Sequence, residues 1–167
     1  GTNIVNLLAL DEGEKISAMI RIDTFDEEKY LTMVTKHGVI KRTELGAFRN
    51  VRKTGLIAIN LDEDDNLGWV HLTGGKDELL LATRHGMAIR FEETDVRVMG
   101  RTARGVRAIN LGDEDEIVGM ACVQEGATLL TVTENGLGRR TELSEYRLQS
   151  RGGKGILNYK SDKRGTF

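Results

Sequence analysis

The 167 residues suffice for one ordinary domain with a core of its own, and their 39% hydrophobic content is low for a globular chain. No apolar run approaches the roughly 18 residues of a membrane span. The opening GTNIVNLLALDEGEK lacks the basic start and cleavage site of a signal peptide, and a lone cysteine, Cys122 in the apolar run IVGMACV, excludes an internal disulfide. A soluble protein of the reducing cytoplasm is expected, with Cys122 an inert core residue. The formal net charge of −2 argues weakly against nucleic acid, and 20 glycines with no proline favour short strands joined by glycine turns.

Taken in chain order, the apolar run at residues 16–22 predicts a first strand and residues 30–35 a second. The chain turns at KHG and returns as a third strand over 39–42; a loop with several cations follows, then a fourth strand beginning at Gly55 and reading LIAINL. The same order recurs at 67–72, 79–83, 87–91 and from Gly105, with RHG at the turn. It recurs again at 117–123, 128–133, 137–140 and from Gly155, with ENG. A His or Asn before Gly suits a tight hairpin whose central residues take positive φ, so His37 and His85 are read as turn residues and not as ligands.

Thr35, Thr83 and Thr133 correspond, as do Gly38, Gly86 and Gly136, and Gly55, Gly105 and Gly155 are each 50 apart. Four-stranded sheets at this period predict an all-β propeller with about three blades. The blades are expected at about 16–60, 67–110 and 117–160, with residues 1–10 ending a preceding one. The 167 residues then form one fragment of a longer ring.

The near-neutral total hides an alternation. One cluster holds Lys36, Lys41, Arg42, Arg49, Arg52 and Lys53 against a single acid, Glu44. The next holds Arg84, Arg90, Arg97, Arg101, Arg104 and Arg107, and the last Arg139, Arg140, Arg147, Arg151 and Lys154, each against three acids. The remaining acids gather in LDEGEK, LDEDDN and LGDEDE, directly after the fourth strands. In a ring, a fixed position in the repeat becomes a continuous band, so a basic band suited to a bent polyanion is expected beside an acidic one. With 5% aromatic residues and no aromatic series beside the cations, duplex backbone is favoured over single strands.

No catalytic motif survives inspection. GRTARGVR, residues 100–107, has P-loop glycine spacing but offers Val106 and Arg107 where Lys and Ser or Thr are required, and RGGKGI places Gly155 at the hydroxyl position. His37, His71 and His85 form no pattern with Cys122, and no cysteine pair has zinc spacing.

TDVRVMGRTARGVRAINL, VTKHGVIKRTEL and YRLQSRGGKG together resemble the C-terminal domain of the bacterial DNA gyrase A subunit, over essentially the whole chain. Gln149, Arg151, Gly152, Gly153, Lys154 and Gly155 match the family's box, Gln-Arg-Arg-Gly-Gly-Lys/Arg-Gly, with Ser150 in place of an arginine. The family's principal box belongs to its first blade, whereas this copy ends the third repeat. The resemblance implies a six-bladed β-pinwheel in which a strand crosses to the neighbouring blade, and duplex DNA wrapped on its rim. It also implies a non-catalytic accessory role in ATP-dependent negative supercoiling, with the rest of the A subunit and the B subunit as partners. No cofactor is expected in this chain, ATP and Mg being used elsewhere in the holoenzyme. Two alternatives stand beside it: the corresponding C-terminal domain of topoisomerase IV, with fewer or degenerate blades and no intact box, and a propeller binding an acidic protein partner.

Overall fold

The computed structural model describes residues 1–3, 7–26, 28–52, 54–160 and 165–167. The chain forms β1 (Tyr30–Thr35), β2 (Val39–Glu44), β3 (Leu67–Thr73), β4 (Glu78–Thr83), β5 (Met87–Glu92), β6 (Val106–Arg107), β7 (Ile117–Cys122), β8 (Thr128–Val132), β9 (Gly138–Glu142) and β10 (Ile156–Leu157). Helix among the described residues is limited to 3-10 turns at Leu45–Phe48, Glu93–Asp95 and Leu143–Glu145.

The three repeats each begin with a hairpin, and the recurring Thr and Gly explain its turn. Gly38, Gly86 and Gly136 take φ of 82, 87 and 78°, a region that a Cβ disfavours. The hydroxyls of Thr35, Thr83 and Thr133 accept from the N–H of Val39, Met87 and Leu137 at 3.1, 3.1 and 3.2 Å, closing the loop from the other side. The expected positive φ at His37 and His85 is not found. Among the described residues, Glu114 is the one non-glycine with positive φ, so glycine alone carries the left-handed step.

The sheets do not follow the repeat boundaries read from the sequence. The first has the order β3-β1-β2-β6 and the second β10-β5-β4-β7, so both outer strands of each sheet come from later in the chain than its hairpin. Strand 67–73, expected to open the second blade, instead pairs with β1, from Tyr30↔Thr73 to Thr35↔Leu67. The fourth strand crosses likewise, with Ile40↔Val106 and Ala88↔Ile156. Residues 16–22 and 56–61, expected as strands, form none: by the pattern of β3 and β6 they would pair with a hairpin one repeat before β1-β2, and no such hairpin lies among the described residues. The third hairpin, β8-β9, has only its own two strands, and Leu130 and Val132 remain exposed on it.

Gly105 and Gly155 make the crossing possible. A Cβ on either would lie 2.6 Å from the carbonyl oxygen of Ile40 or 2.5 Å from that of Ala88, whereas one on Gly55 would meet nothing within 4 Å. Each sheet is therefore pinned at a point where backbone touches backbone.

Both faces of a central strand are apolar because the sheets stack. Leu79, Leu81, Ile89 and Phe91 pack with Val34 and Ile40 of the first sheet, while Leu80 and Ala88 face the other way, against Leu143 and Tyr146. Leu31 and Met33 pack with Leu45 and Phe48, against Ile20, Ile22 and Phe25. Each such side chain contributes about 1.5–3 kcal/mol on full burial.

Three cations are enclosed in this stack. Arg42 lies 7% exposed, donating through Nε to the Val96 carbonyl at 3.0 Å, facing Glu93 at 3.4 Å and stacking 4.8 Å over the Tyr30 ring. Glu93 is fully buried and also accepts from Thr73 Oγ1 and the N–H groups of Gly75 and Asp77 at 2.6–2.7 Å. Arg90 repeats the brace in the second sheet, donating to the carbonyls of Leu143 and Tyr146 at 3.0 Å and pairing with Glu78. Lys41 is fully buried, its Nζ donating to the carbonyl of Ala58 at 2.6 Å and to that of Arg101. Burial, then the neighbouring Arg101 guanidinium, lowers its pKa to about 8.

Two predictions concern stability. Gly105→Ala and Gly155→Ala combine a left-handed backbone, at about 1–2 kcal/mol, with a clash of about 1–3 kcal/mol. Gly55→Ala meets only the first cost, so in chemical denaturation it should be clearly the mildest of the three. For Lys41, the unfolded chain keeps its proton to about pH 10.4 while the folded chain releases it near 8. Its unfavourable contribution is thus complete below pH 8 and fades as pH rises from 8 to 10.4. Relative to Lys41→Met, the parent chain should gain on the order of 1–3 kcal/mol across that window; a pH-independent difference would contradict the enclosure of Lys41.

Candidate nucleic-acid interface

The long loops after β5 and β9 are each held against the sheet before them. Met99 N–H donates to the Arg42 carbonyl and Gln149 N–H to the Arg90 carbonyl, both at 2.8 Å, and Val98 and Leu148 bridge in parallel to Arg42 and Arg90. The first loop then runs along the hairpin to its tip, where Ala108 N–H reaches the Gly38 carbonyl at 2.8 Å. Loop cations are thereby fixed on a rigid frame.

The seventeen basic candidates separate by environment. Lys53 lies outside the described residues. Lys41 turns its ammonium to carbonyls, and Arg42 and Arg90 turn their guanidinium groups to carbonyls and an acid within the stack, which places all three poorly to face a phosphate. Arg101 and Arg151, at matching positions, are half-buried braces that donate to the carbonyls of Ile57 and Arg107 at 3.2 and 2.9 Å; Arg151 also donates to the Asp95 carbonyl at 2.9 Å. The remainder are exposed: Lys36, Arg49, Arg52, Arg84, Arg97, Arg104, Arg107, Arg139, Arg140, Arg147 and Lys154.

Several exposed cations already have a partner. Arg84 faces Glu116 at 3.7 Å, Arg104 faces Asp62 at 3.3 Å, Arg139 faces Glu145 at 3.9 Å, and Arg49 donates to the Phe25 carbonyl at 3.1 Å. Among the described residues, Lys36, Arg52, Arg97, Arg107, Arg140 and Lys154 form no ion pair. Arg147 lies against the Gln149 amide, whose oxygen, turned toward it, accepts from Nε at 2.8 Å.

The box-like stretch resolves into parts with different tasks. Gly152 N–H donates to the Ala108 carbonyl at 2.6 Å and the Gly153 carbonyl accepts from Asn110 N–H at 2.8 Å, tying the glycines to the preceding fourth strand. Gly155 makes the crossing, Arg151 braces it, and Ser150 and Lys154 are left at the surface. One cation of the motif is thus structural and one is available.

The acidic turns lie closer to the cations than a separate band requires. Asp65 and Asp115 accept from the N–H of His37 and His85 at 3.0 and 2.9 Å, which places each acidic turn beside a hairpin tip. Sequence reasoning missed these two capping acids, as well as Glu93; the recurrence of an aspartate 30 residues after Thr35 and 32 after Thr83 was the available signal. Cys122 packs partly in the core, and burial raises its thiol pKa, which disfavours the reactive thiolate. The P-loop-like residues 100–107 lead into β6 and not into a helix. No group of three or more His, Cys, Asp or Glu among the described residues is placed to hold a metal.

Residues 29–70, 77–124 and 127–162 match the family model of the DNA gyrase C-terminal domain, beta-propeller. The first of these units joins strand 67–70 to the hairpin before it, in agreement with the sheet pairing. The DNA gyrase A subunit of Clostridium acetobutylicum is 56% identical over 107 residues, 64% of this chain and 13% of the relative, and that of Halalkalibacterium halodurans is 54% identical over the same length and shares. A solved gyrase A C-terminal domain superposes with a TM-score of 0.88 at 30% identity, covering 99% of this chain and 56% of that one. A C-terminal domain of DNA topoisomerase IV gives 0.87 at 33%, covering 94% and 49%. The chain spans only a small part of the curated relatives it matches. With its repeat, crossed strands and family match in agreement, this chain belongs to the DNA gyrase C-terminal domain, beta-propeller, family.

Proposed function

We propose that the chain binds duplex DNA without catalysing its chemistry, bending it along the exposed rim to support ATP-dependent negative supercoiling by a gyrase holoenzyme. The observation that carries this reading is the recurrence of exposed cations at matching loop positions, Arg97 with Arg147 and Arg104 with Lys154, on loops anchored to the preceding sheet. Phosphate contacts of this kind position a duplex without reading its sequence. Rigid spacing turns such contacts into curvature, whose cost of about 1–6 kcal/mol for 40–90° over 20–30 bp must be met by contacts on successive sheets. In this reading the chain acts in the bacterial cytoplasm, with the rest of the A subunit and the B subunit as partners. Strand cleavage and the use of ATP and Mg lie outside it.

The gyrase assignment is preferred to topoisomerase IV because the sequence relatives from Clostridium acetobutylicum and Halalkalibacterium halodurans are both gyrases, whereas the two solved structures superpose about equally well.

Binding to a duplex of about 40 bp, followed by fluorescence anisotropy across a salt series, tests the reading. Engagement of about four to eight of the exposed cations gives a slope of log affinity against log salt near −4 to −7. Replacing Arg97 and Arg147 together by Gln should flatten that slope by about 2, while Lys41→Met should leave it unchanged. Salt-insensitive binding, or none at low salt, would favour a protein partner.

A further inference from the structure

The two complete sheets carry the same cleft at the hairpin tip, of about 350 Å³ in the first and 270 Å³ in the second. Asp65 of one corresponds to Asp115 of the other, and Arg104 to Lys154. Two charged positions differ: Arg107, exposed at the first cleft, has Leu157 at its place in the second repeat, and Asp62 has Gly112. The first cleft has Asp62, whose carboxylate lies 3.3 Å from Arg104, and the second has Gly112, which leaves Lys154 without an ion partner among the described residues. Asp65 forms no ion pair with Arg104; its Oδ1 accepts from the N–H groups of His37 and Asn66 at 3.0 and 2.8 Å.

We propose that Asp62 acts as an internal counter-ion that weakens the Arg104 anchor, and that Gly112 leaves the Lys154 anchor at full strength. Residues 62 and 112 then grade how tightly successive sheets hold the same polyanion. The inference rests on the DNA-binding reading above. A phosphate approaching Arg104 must displace a carboxylate, whereas one approaching Lys154 displaces only water and small ions. Both Arg104 and Asp62 are largely exposed, so the restraint is modest and readily exchanged. Position 112 can accept the opposite change, since a Cβ there would meet nothing within 4 Å and the backbone is outside the left-handed region.

The test uses the full chain and a labelled duplex of about 40 bp at several salt concentrations. Asp62→Asn should raise affinity about two- to fivefold at low salt, and Gly112→Asp should lower it by a similar factor. Removing one negative charge anywhere strengthens binding somewhat, so Asp62→Asn is repeated in an Arg104→Gln background, where its gain should largely vanish. Thermal melts of all variants verify folding, and the opposite signs expected at positions 62 and 112 separate the effect from a general loss of structure. An equal gain from Asp62→Asn with and without Arg104, or no response to Gly112→Asp, overturns the inference and leaves the DNA reading standing. Failure of the parent chain to bind duplex at low salt overturns both.

Discussion

Both four-stranded sheets depend on backbone borrowed from downstream. The hairpin β1-β2 is completed on one side by β3 and on the other by β6, and β4-β5 by β7 and β10. The carbonyls of Ile40 and Ala88 come so close to Gly105 and Gly155 that no side chain fits at either glycine. Because the borrowed strand leads directly from the basic loop, the same crossing that closes the sheet also fixes Arg101, Arg104, Arg151 and Lys154 relative to the hairpin tip. Fold closure and rim geometry are one constraint.

Charge is used in two ways that the linear sequence does not separate. Arg42 and Arg90 bind neighbouring sheets together from within, and each meets carbonyl groups of the following loop with an acid close by. Leaving Arg42 or Glu93 without its counterpart would strand a buried charge, a change of about 3–5 kcal/mol, whereas the partly solvated Arg90 and Glu78 would lose less. The exposed cations contribute little to stability and present their charge to solvent. A simple tally of basic residues therefore overstates the surface field, and the acidic turns beside the hairpin tips reduce it further.

Much of this was legible from residues alone. Thr35, Thr83 and Thr133 with their following glycines mark the turns, and the structure gives the reason in hydroxyls that accept from Val39, Met87 and Leu137. The phase of the blades was not legible, since a 50-residue period is the same wherever the unit is cut, and pairing of 67–73 with β1 is a long-range choice. Lys41 looked like a surface strand residue because its neighbours, Arg42 and Thr43, are polar as well. Its match in the second repeat, Ile89, is 1% exposed, and Glu93 stands where Leu45 and Leu143 are buried. Comparing the chemistry of aligned positions, and not only their recurrence, was the signal for both.

The crossed strands also set an order of events in time. Ile40 pairs with Val106, 66 residues later, so the first hairpin leaves the ribosome with an unsatisfied edge. At about 5–20 residues per second, that edge waits roughly 3–13 seconds for its last neighbour, long compared with the microseconds in which a hairpin forms. A nascent chain of this kind always carries one unfinished sheet behind the growing end, an adhesive edge that neighbouring polysomes could engage. Synthesis rate is thus coupled to faithful assembly, and a translational pause between residues 44 and 106 prolongs the interval of greatest exposure.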